Sequence, residues 1–418
     1  MSGHRGRSGW RRRTTGYATT AVVLLLATVA GDAARPAAPA ADTVGPVPIA
    51  GTHPDVGPPG LGATGGPHPD AAGRRTVRIL AAGDVLVHPE VTAQARRDAR
   101  RTNRPGGLDF APIFAGVAPA VSGADLALCH LETPLAEPTG PFSGWPSFNA
   151  PPQVLDGLRA AGFDGCSTAS NHTLDQGSAG VTRTLRALDA VGLRHTGSAR
   201  SAVEAAAPTI YPVGDVRVAH LSYTLNFNGL RTPPGESWRA NLIDPPRIRA
   251  AARRARAAGA DIVVASLHWG TEYQHLPDAD QRTWAAELIR SPDIDLILGH
   301  HAHVVQPFHR IGDKWVVYGM GNELARHARP VDANREGVMA RVTFTEVAPR
   351  RWRIDAIEAL PTWTELAPDI RLVDVAAALA DGATPPGRRA VYRAAYDRVG
   401  RHVRALGGGV DPMVRPGG

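Results

Sequence analysis

The chain has 418 residues, of which 43% are hydrophobic and 20% are charged. These proportions are typical of a globular protein, and the length suits one large α/β domain or two smaller ones. The formal net charge of +7 does not indicate nucleic-acid binding, because five arginines between residues 5 and 13 account for most of it (7 − 5 = +2). No Lys/Arg run with interleaved aromatic residues follows them, so nucleic acid is excluded as a predicted partner.

The N-terminal 31 residues have the pattern of an export segment. The arginines precede the apolar run AVVLLLATVA (21–30), and residues 1–30 contain no acid. Thr28-Val29-Ala30 resembles a small-residue cleavage site, which favours a signal peptide. The uncharged stretch 14–31 is 18 residues long, which also suffices for a membrane anchor. Both alternatives stay open, and both predict that the rest of the chain is extracytoplasmic, either secreted or anchored to the cell membrane.

Residues 32–75 are rich in Ala, Pro and Gly, with scattered polar residues. Such a composition buries no core, so we predict a disordered linker or extended tether.

A different pattern starts at Thr76, where short β-branched runs alternate with segments of helical period. This alternation predicts an α/β domain with largely buried strands over residues 76–347. The predicted strands are TVRILAAGD, DLALCHLE, GCSTASNH, VRVAHLSY, DIVVASLHWG, DLILGHHAH and WVVYGMGN. The predicted helices include 152–161, 178–191, 246–258 and 279–290. Two further strands and a helix at 388–407 predict a C-terminal extension, 348–418, that packs on the domain and ends in a disordered tail.

The chain has two cysteines, Cys129 and Cys166, both on predicted strands. Two cysteines form no disulfide framework, although a single bridge between them would be stable outside the cytoplasm. We favour the interpretation as two small buried thiols.

Six of the predicted strands end in polar residues that can bind a metal. These residues are Asp84, Glu132, Asn171 with His172, His268, His301 with His303, and Asn322. Ligands of open α/β sheets collect outside the carboxyl ends of the strands, so we expect these side chains to converge.

The chemistry of this set predicts a divalent transition metal, Mn, Fe or Zn, as one or two ions. Carboxylate, amide and imidazole ligands without a thiolate suit these metals and do not indicate a closed structural zinc site. His301 and His303 are two positions apart, so on a curved turn they could each serve one of two metals. Two such ions bridged by a carboxylate would activate a water molecule and stabilise an oxyanion.

The ordered blocks between residues 77 and 324 resemble the CapA family of poly-γ-glutamate capsule biosynthesis proteins. The matching blocks are GDVLVHPEV, HLETPLAEP, FNAPPQVLDGLRAAGFDGCSTASNHTLDQG, SLHWGTEY, LGHHAHVVQP and YGMGNEL. The resemblance implies a calcineurin-like metallophosphoesterase fold, that is, an α/β sandwich with mixed β-sheets flanked by helices.

The resemblance also implies roles for individual residues. Asp84 and His303 would bind a first metal, Glu132 would bridge, and Asn171, His268 and His301 would bind a second metal. His172, beside Asn171, would protonate the leaving group as the catalytic acid. The residues expected to support the ligands or contact substrate are Asp175, Glu272, Asn322, His130 and His88.

The chain departs from the phosphoesterase pattern after the first aspartate. Leu86 stands where phosphoesterases have a histidine, which implies weaker binding of the first metal, a single-metal site or none. His88 is a candidate to supply the missing ligand.

Three functions follow from this resemblance. The first is an extracytoplasmic metal-dependent hydrolase or transferase that acts on poly-γ-glutamate or a related anionic envelope polymer, with Arg231 and Arg239 steering the chain. The second is a non-catalytic, membrane-anchored component of a polymer synthesis or export complex. The third is a metallophosphatase or phosphodiesterase with an unrelated substrate.

Overall fold

A computed structural model describes residues 66–407, 411–414 and 416. These residues belong to one unit, Val56–Gly418. The predicted signal peptide or anchor, most of the predicted linker and part of the predicted tail lie outside the described residues. Within the described ranges, no helix combines the length and the apolar character that a membrane crossing needs.

The described chain forms fifteen strands and eleven helices. The strands are β1 (His68–Pro69), β2 (Arg75–Val85), β3 (Leu126–Leu131), β4 (Gly165–Ser167), β5 (Arg194–Thr196), β6 (Thr209–Val213), β7 (Val216–Thr224), β8 (Ile262–His268), β9 (Leu296–His300), β10 (Phe308–Ile311), β11 (Lys314–Val317), β12 (Asn322–Leu324), β13 (Glu336–Ala348), β14 (Arg351–Glu365) and β15 (Arg371–Asp374). The helices are α1 (Pro89–Thr102), α2 (Ala111–Phe114), α3 (Ala118–Ser122), α4 (Val154–Ala161), α5 (Gly177–Ala190), α6 (Ala202–Ala206), α7 (Pro245–Ala257), α8 (Ala279–Ile289), α9 (Asp332–Arg335), α10 (Val375–Ala380) and α11 (Pro386–Val403).

The strands form two mixed sheets. The first has nine strands, in the order β15-β14-β13-β2-β3-β4-β5, and β1 and β12 also pair with β2. The second has six strands, in the order β10-β11-β9-β8-β7-β6. The neighbouring strands β2, β3, β4 and β5 are parallel in the first sheet, and β7, β8, β9 and β11 are parallel in the second. The strands β13, β14, β6 and β10 pair antiparallel with their neighbours.

The alternating direction of the side chains along β2 shows how the two sheets stack. Ile79 and Ala81 point into an apolar layer that they share with Val264 and Leu298 of the second sheet. Leu80 and Ala82, on the opposite face, pack with the side chains of α1, α2, α4 and α5. The outer face of the second sheet packs on α7 and α8. Side chains of a strand point alternately to its two faces, so each sheet is buried on both sides. The predicted α/β sandwich with mixed sheets is confirmed.

The predicted helices are close to the observed ones, and two differences have a local cause. The helix predicted at 152–161 begins at Val154, after two consecutive prolines. It ends at Gly162, whose φ of 106° is left-handed and favours glycine. The helix α1, with Pro89 in its first turn, was not among the predicted helices.

The C-terminal residues belong to the same sheet as the start of the domain. β14 and β15 extend the first sheet, and Tyr392 and Ala395 of α11 pack on Trp363 of β14. The domain limits given above remain a prediction.

The interpretation of the cysteines as separate thiols was wrong, because Cys129 and Cys166 form a disulfide. They are register partners on the adjacent parallel strands β3 and β4, with Cα atoms 4.4 Å apart. Strand register, which the sequence does not reveal, brings the two sulfurs together.

Candidate metal centre

The carboxyl ends of strands from both sheets meet at one place. Asp84 is near the end of β2, Glu132 follows β3, and His268 is the last residue of β8. After β9 the chain turns through His301 and His303, whose φ angles are 86° and 54°. Such positive values are uncommon for non-glycine residues, and they give the curved turn that the sequence predicted for this pair.

Asp84 is the most densely contacted carboxylate of this cluster. It is completely buried, and it accepts hydrogen bonds from the His301 backbone N–H at 3.0 Å and from His300 Nδ1 at 3.1 Å. His303 Nδ1 lies 3.3 Å from Asp84 Oδ2, the oxygen that also accepts the His301 N–H. Burial alone would raise the pKa of Asp84, but the imidazoles of His300 and His303 hold it well below its usual value. The carboxylate is therefore charged.

Glu132 differs from Asp84 in its lack of hydrogen bonds and in the direction of its pKa shift. Both of its carboxyl oxygens are buried and have no hydrogen-bond partner in the described part of the chain. The closest imidazole nitrogens are His303 Nε2 at 3.7 Å and His268 Nε2 at 3.9 Å. Burial raises the pKa of Glu132 well above its usual value. A buried carboxyl with orphaned oxygens costs stability unless a cation is bound, so its environment fits a metal ligand.

His268 is held between two polar side chains. Its Nε2 lies 2.9 Å from Asn171 Oδ1, and its Nδ1 lies 2.9 Å from His130 Nε2. The other nitrogen of His130 contacts Ser167 Oγ at 2.8 Å. His130 thus links His268 to Ser167 and orients the His268 ring. Burial and neighbouring imidazoles lower the pKa of His268 well below its usual value, which keeps the ring neutral, as a metal ligand must be.

His303 connects the two carboxylates. Its Nδ1 also contacts Asn322 Oδ1 at 3.0 Å. Burial lowers the pKa of His303, but Glu132 and Asp84 outweigh it and raise the pKa to about 10. The same negative potential would attract a divalent cation. The pKa of His301 is lowered to about 4, chiefly by burial, and its Nδ1 is buried without a partner among the described residues.

Two groups of side chains have ligand atoms that all lie within 4.8 Å of one another. The first is Asp84, His130, Glu132 and His268, and the second is Glu272, His301 and His303. Metal–ligand bonds of about 2.0–2.2 Å place neighbouring ligand atoms about 3–4 Å apart, so these donor sets fit one or two transition-metal ions. Glu272, predicted as a supporting residue, is exposed and belongs to the second group.

The predicted catalytic histidine has an orienting carboxylate. His172 Nδ1 lies 2.8 Å from Asp175 Oδ2, which also accepts the Phe148 backbone N–H at 2.7 Å. The Phe148 ring packs edge-on against His172, with centroids 4.8 Å apart. A carboxylate can only accept, so Nδ1 carries the proton and Nε2 faces away from this pair.

The position two residues after Asp84 carries an apolar side chain. Leu86 is buried with Phe148 and Ala325. His88 Nδ1 contacts the Arg326 backbone N–H at 3.2 Å, and His88 belongs to neither group of potential ligands. Its role as a substitute for the missing histidine stays a prediction.

Three further residues differ from the prediction in their location or burial. Asn322 does not end the predicted strand WVVYGMGN, because β11 stops at Val317 and Asn322 begins β12 in the other sheet. Asn171 lies in a turn four residues beyond the end of β4. Arg239, predicted to steer an anionic chain, is buried and donates to Glu236 at 2.6 Å.

Among the described residues, two histidines that contact the centre were not predicted. His300 bonds Asp84 and stacks on His130 with ring centroids 4.0 Å apart. His327 lies between His88 and His303, and its Nε2 is 3.1 Å from the Asn322 amide nitrogen. The GHHAH motif contains a signal for His300, whereas the sequence around His327 contains none.

The fold and the cluster define a class of protein: a two-sheet α/β sandwich with a polar centre, suited to divalent metal, at the carboxyl ends of its strands. Residues 78–326 match the sequence model of the family described as bacterial capsule synthesis protein PGA_cap. The chain belongs to this family, and the predicted CapA resemblance is confirmed.

Several curated proteins are similar to the chain. The capsule biosynthesis protein CapA of Bacillus anthracis is 26% identical over 223 residues, which are 52% of this chain and 54% of that protein. The PGA biosynthesis protein CapA of Bacillus subtilis is 31% identical over 170 residues, covering 40% and 43%. A probable polyglutamine synthesis accessory protein of Mycobacterium tuberculosis is 28% identical over 285 residues, covering 59% and 73%. The chain thus spans about half the length of the Bacillus relatives.

Similarity to solved structures is weaker. A phosphatase from Mycoplasma pneumoniae aligns with a TM-score of 0.43 and 10% identity over 69% of this chain and 94% of that one. A calcineurin-like phosphoesterase from Bacillus subtilis aligns with a TM-score of 0.39 and 14% identity over 68% and 90%. TM-scores below 0.5 at such identities assign no reaction to this chain.

Proposed function

We propose that this protein is an extracytoplasmic, metal-dependent hydrolase or transferase that acts on poly-γ-glutamate or a related anionic polymer of the cell envelope. The family and the named relatives supply the link to capsule synthesis. The reaction is inferred from the centre itself.

One observation carries the proposal of a metal-dependent reaction. Both buried oxygens of Glu132 lack a hydrogen-bond partner among the described residues, and one of them, Oε1, faces the imidazoles of His268 and His303. The residues that would hold a divalent ion are Asp84, Glu132, Asn171, His268, His301 and His303. When bound, such an ion lowers the pKa of a water molecule and polarises a phosphoryl or carbonyl oxygen.

The chain's own residues prepare the centre for proton transfer. Asp175 fixes His172 in the tautomer that carries a proton on Nδ1, which leaves Nε2 for exchange with substrate. His172 in its doubly protonated form would donate the Nε2 proton to the leaving group. His130 fixes His268, and Asn322 fixes His303, so the imidazoles need no reorientation before the reaction.

Two features support an extracytoplasmic location. The arginine-rich start followed by an apolar run is typical of export, and the Cys129–Cys166 disulfide is typical of oxidising compartments. In intact cells, an externally added protease should therefore remove the protein, whereas a cytoplasmic control protein should survive. Survival of both proteins until lysis would contradict this location.

A second candidate function is a non-catalytic component of a membrane synthesis or export complex. It is favoured by Leu86, which is buried in an apolar cluster where phosphoesterases have a histidine. The description of the mycobacterial relative as an accessory protein supports the same alternative.

Turnover and metal content separate these functions. The purified full-length protein, loaded with Mn²⁺, Fe²⁺ or Zn²⁺, would be incubated in parallel with γ-linked glutamate polymer and with a generic phosphodiester. We expect polymer cleavage or transfer. Phosphodiester turnover alone would favour an unrelated phosphodiesterase, and no turnover with full metal content would favour the non-catalytic component.

Variants test the assigned roles. His301→Ala with His303→Ala should lose metal by elemental analysis and remain folded, whereas His172→Asn should keep its metal and lose turnover. A matched control is His68→Asn, which alters another His–Asp pair (Nε2 to Asp125 Oδ1, 3.0 Å). Unchanged metal content in the double variant would show that the ligand assignment is wrong, and unchanged turnover in His172→Asn would remove its acid role.

A further inference from the structure

A groove on the second sheet lies between α6 and α7, apart from the metal centre. It has a volume of about 380 Å³, and the segment 237–242 forms one of its walls. Alanines of both helices line it, including Ala205 of α6 and Ala251 of α7. Because their side chains are small, they leave room for a ligand between the helices.

The charge of this groove is one-sided. Of the described residues that line it, only Arg247 and Arg254 are charged, and both are positive. They are seven positions apart on α7, which places them two turns and about 10 Å apart on one helix face. The groove therefore presents two positive charges in a row.

Arg254 has no ionic partner among the described residues, and Arg247 has one exposed ion pair. Arg254 is exposed and its guanidinium has no hydrogen bond or ion pair with any residue in the described ranges. The nearest acid of Arg247 is Asp244, whose Oδ2 lies 3.6 Å away. Asp244 also caps α7 by accepting the Arg247 backbone N–H at 3.1 Å. An exposed pair at that distance contributes little, so the groove keeps a net positive potential.

The neighbouring cavity makes a useful contrast. It has a volume of about 290 Å³ and shares Trp238 and Asn241 with the groove. There, Arg200 is paired with both Asp189 and Glu204. The charge of Arg200 is therefore compensated in that cavity, whereas Arg254 has no such carboxylate partner among the described residues.

The strand β7 belongs both to the groove and to the sheet that carries His268. Tyr223 lines the groove on β7, and the next residue, Thr224, is the register partner of His268. The backbone N–H of Leu225 then donates to the His268 carbonyl at 2.9 Å. The groove therefore lies on the same sheet as one of the proposed metal ligands.

We infer that the groove between α6 and α7 is a second binding site for carboxylate groups, which holds an anionic polymer outside the metal centre through Arg247 and Arg254. The choice of polymer rests on the proposed function, whereas the anionic chemistry rests on the groove. Trp238 and Tyr223 would contact the apolar backbone of the polymer between its carboxylates.

Binding without metal tests this inference independently of the reaction. Fluorescence anisotropy of a labelled γ-linked glutamate oligomer would be measured with the full-length protein after chelation of metal, at low and high salt. Arg247→Gln with Arg254→Gln should weaken binding about fivefold to thirtyfold, because each exposed charge pair contributes modestly. The loss should shrink at high salt, where exposed charges are screened.

The matched control is Arg253→Gln with Arg290→Gln, which removes two exposed arginines that do not line the groove. It should change binding less than twofold, and both double variants should keep the parent melting temperature. Equal effects of the two double variants, or absence of salt-dependent binding by the metal-free parent, would overturn the inference. Weakened binding in a protein that does not transform the polymer would support the groove and contradict the proposed function.

Discussion

Replacing Glu132 with glutamine separates the need for a cation from the need for a polar side chain. Glu132 is 1% exposed and both of its oxygens lack a hydrogen-bond partner among the described residues. Glutamine has nearly the same shape but no charge. In the metal-free protein we expect Glu132→Gln to change the free energy of unfolding by about 1 kcal/mol or less, because both side chains bury unsatisfied polar atoms.

The difference should appear when metal is added. At a free-ion concentration 100 times the Kd, binding stabilises the parent by about 2.7 kcal/mol. About 340 described residues, at about 2.1 cal/mol/K each, give an unfolding entropy of about 0.7 kcal/mol/K, so the parent Tm should rise about 4 °C. A hundredfold weaker site in the variant would gain only about 0.4 kcal/mol, which is less than 1 °C.

Differential scanning calorimetry with chelator and with Mn²⁺ or Zn²⁺ measures both quantities. Glu137→Gln is the control, because it is the same chemical substitution at an exposed glutamate five positions away. It should respond to metal like the parent. A metal-induced rise in Glu132→Gln equal to that of the parent would refute the reasoning, since Glu132 could then contribute nothing to cation binding.

Three further predictions concern stability. Cys129→Ser with Cys166→Ser opens a loop with a sequence separation of 37 and should lower the free energy of unfolding by about 4 kcal/mol in urea titrations; an unchanged midpoint would show that the bridge is absent. Burial raises the pKa of Glu323 from 4.5 to about 8, so the folded protein binds the carboxyl proton more tightly than the unfolded chain does. The free energy of unfolding should therefore fall by up to about 5 kcal/mol as pH rises between those values. Glu323→Gln should remove that part of the pH dependence of the urea midpoint, and parallel profiles for parent and variant would contradict it. A Cβ atom at Gly299 would lie 1.8 Å from a backbone carbonyl oxygen, whereas a Cβ atom at Gly382 would meet open space. Thermal melting should therefore show that Gly299→Ala lowers the free energy of unfolding by more than about 3 kcal/mol and Gly382→Ala by less than about 1 kcal/mol. Equal losses in the two variants would contradict this prediction.

The sequence was sufficient for the fold class and for the place of the centre. Apolar runs that end on Asp84 and His268 predict buried strands with polar carboxyl ends, because parallel strands are buried on both faces. The rule that ligands collect beyond the carboxyl ends of parallel strands accounts for the convergence within each sheet. Asp84 and His268 belong to different sheets, so their meeting also requires the two sheets to stack with these ends on the same side, which the sequence does not show.

Register and turn geometry could not be predicted in the same way. The pairing of Cys129 with Cys166 depends on which residues of β3 and β4 face each other. His300 contacts Asp84 only because β9 ends at that residue, before the left-handed turn at His301. A sequence with three histidines in four positions does not reveal which ring points inward, because one residue of positive φ changes the direction of those that follow.

Three energetically unfavourable features lie together at the candidate metal centre. The buried carboxyl of Glu132 is orphaned, His301 has a left-handed backbone, and its Nδ1 is buried without a partner in the described chain. Each feature costs about 1–3 kcal/mol, and all of them occur at the carboxyl ends of the strands. The sheets beneath, by contrast, are packed with apolar side chains on both faces. A chain that only needed to fold or to bind a partner would gain stability by replacing these residues, whereas a bound cation offsets all of these costs at once.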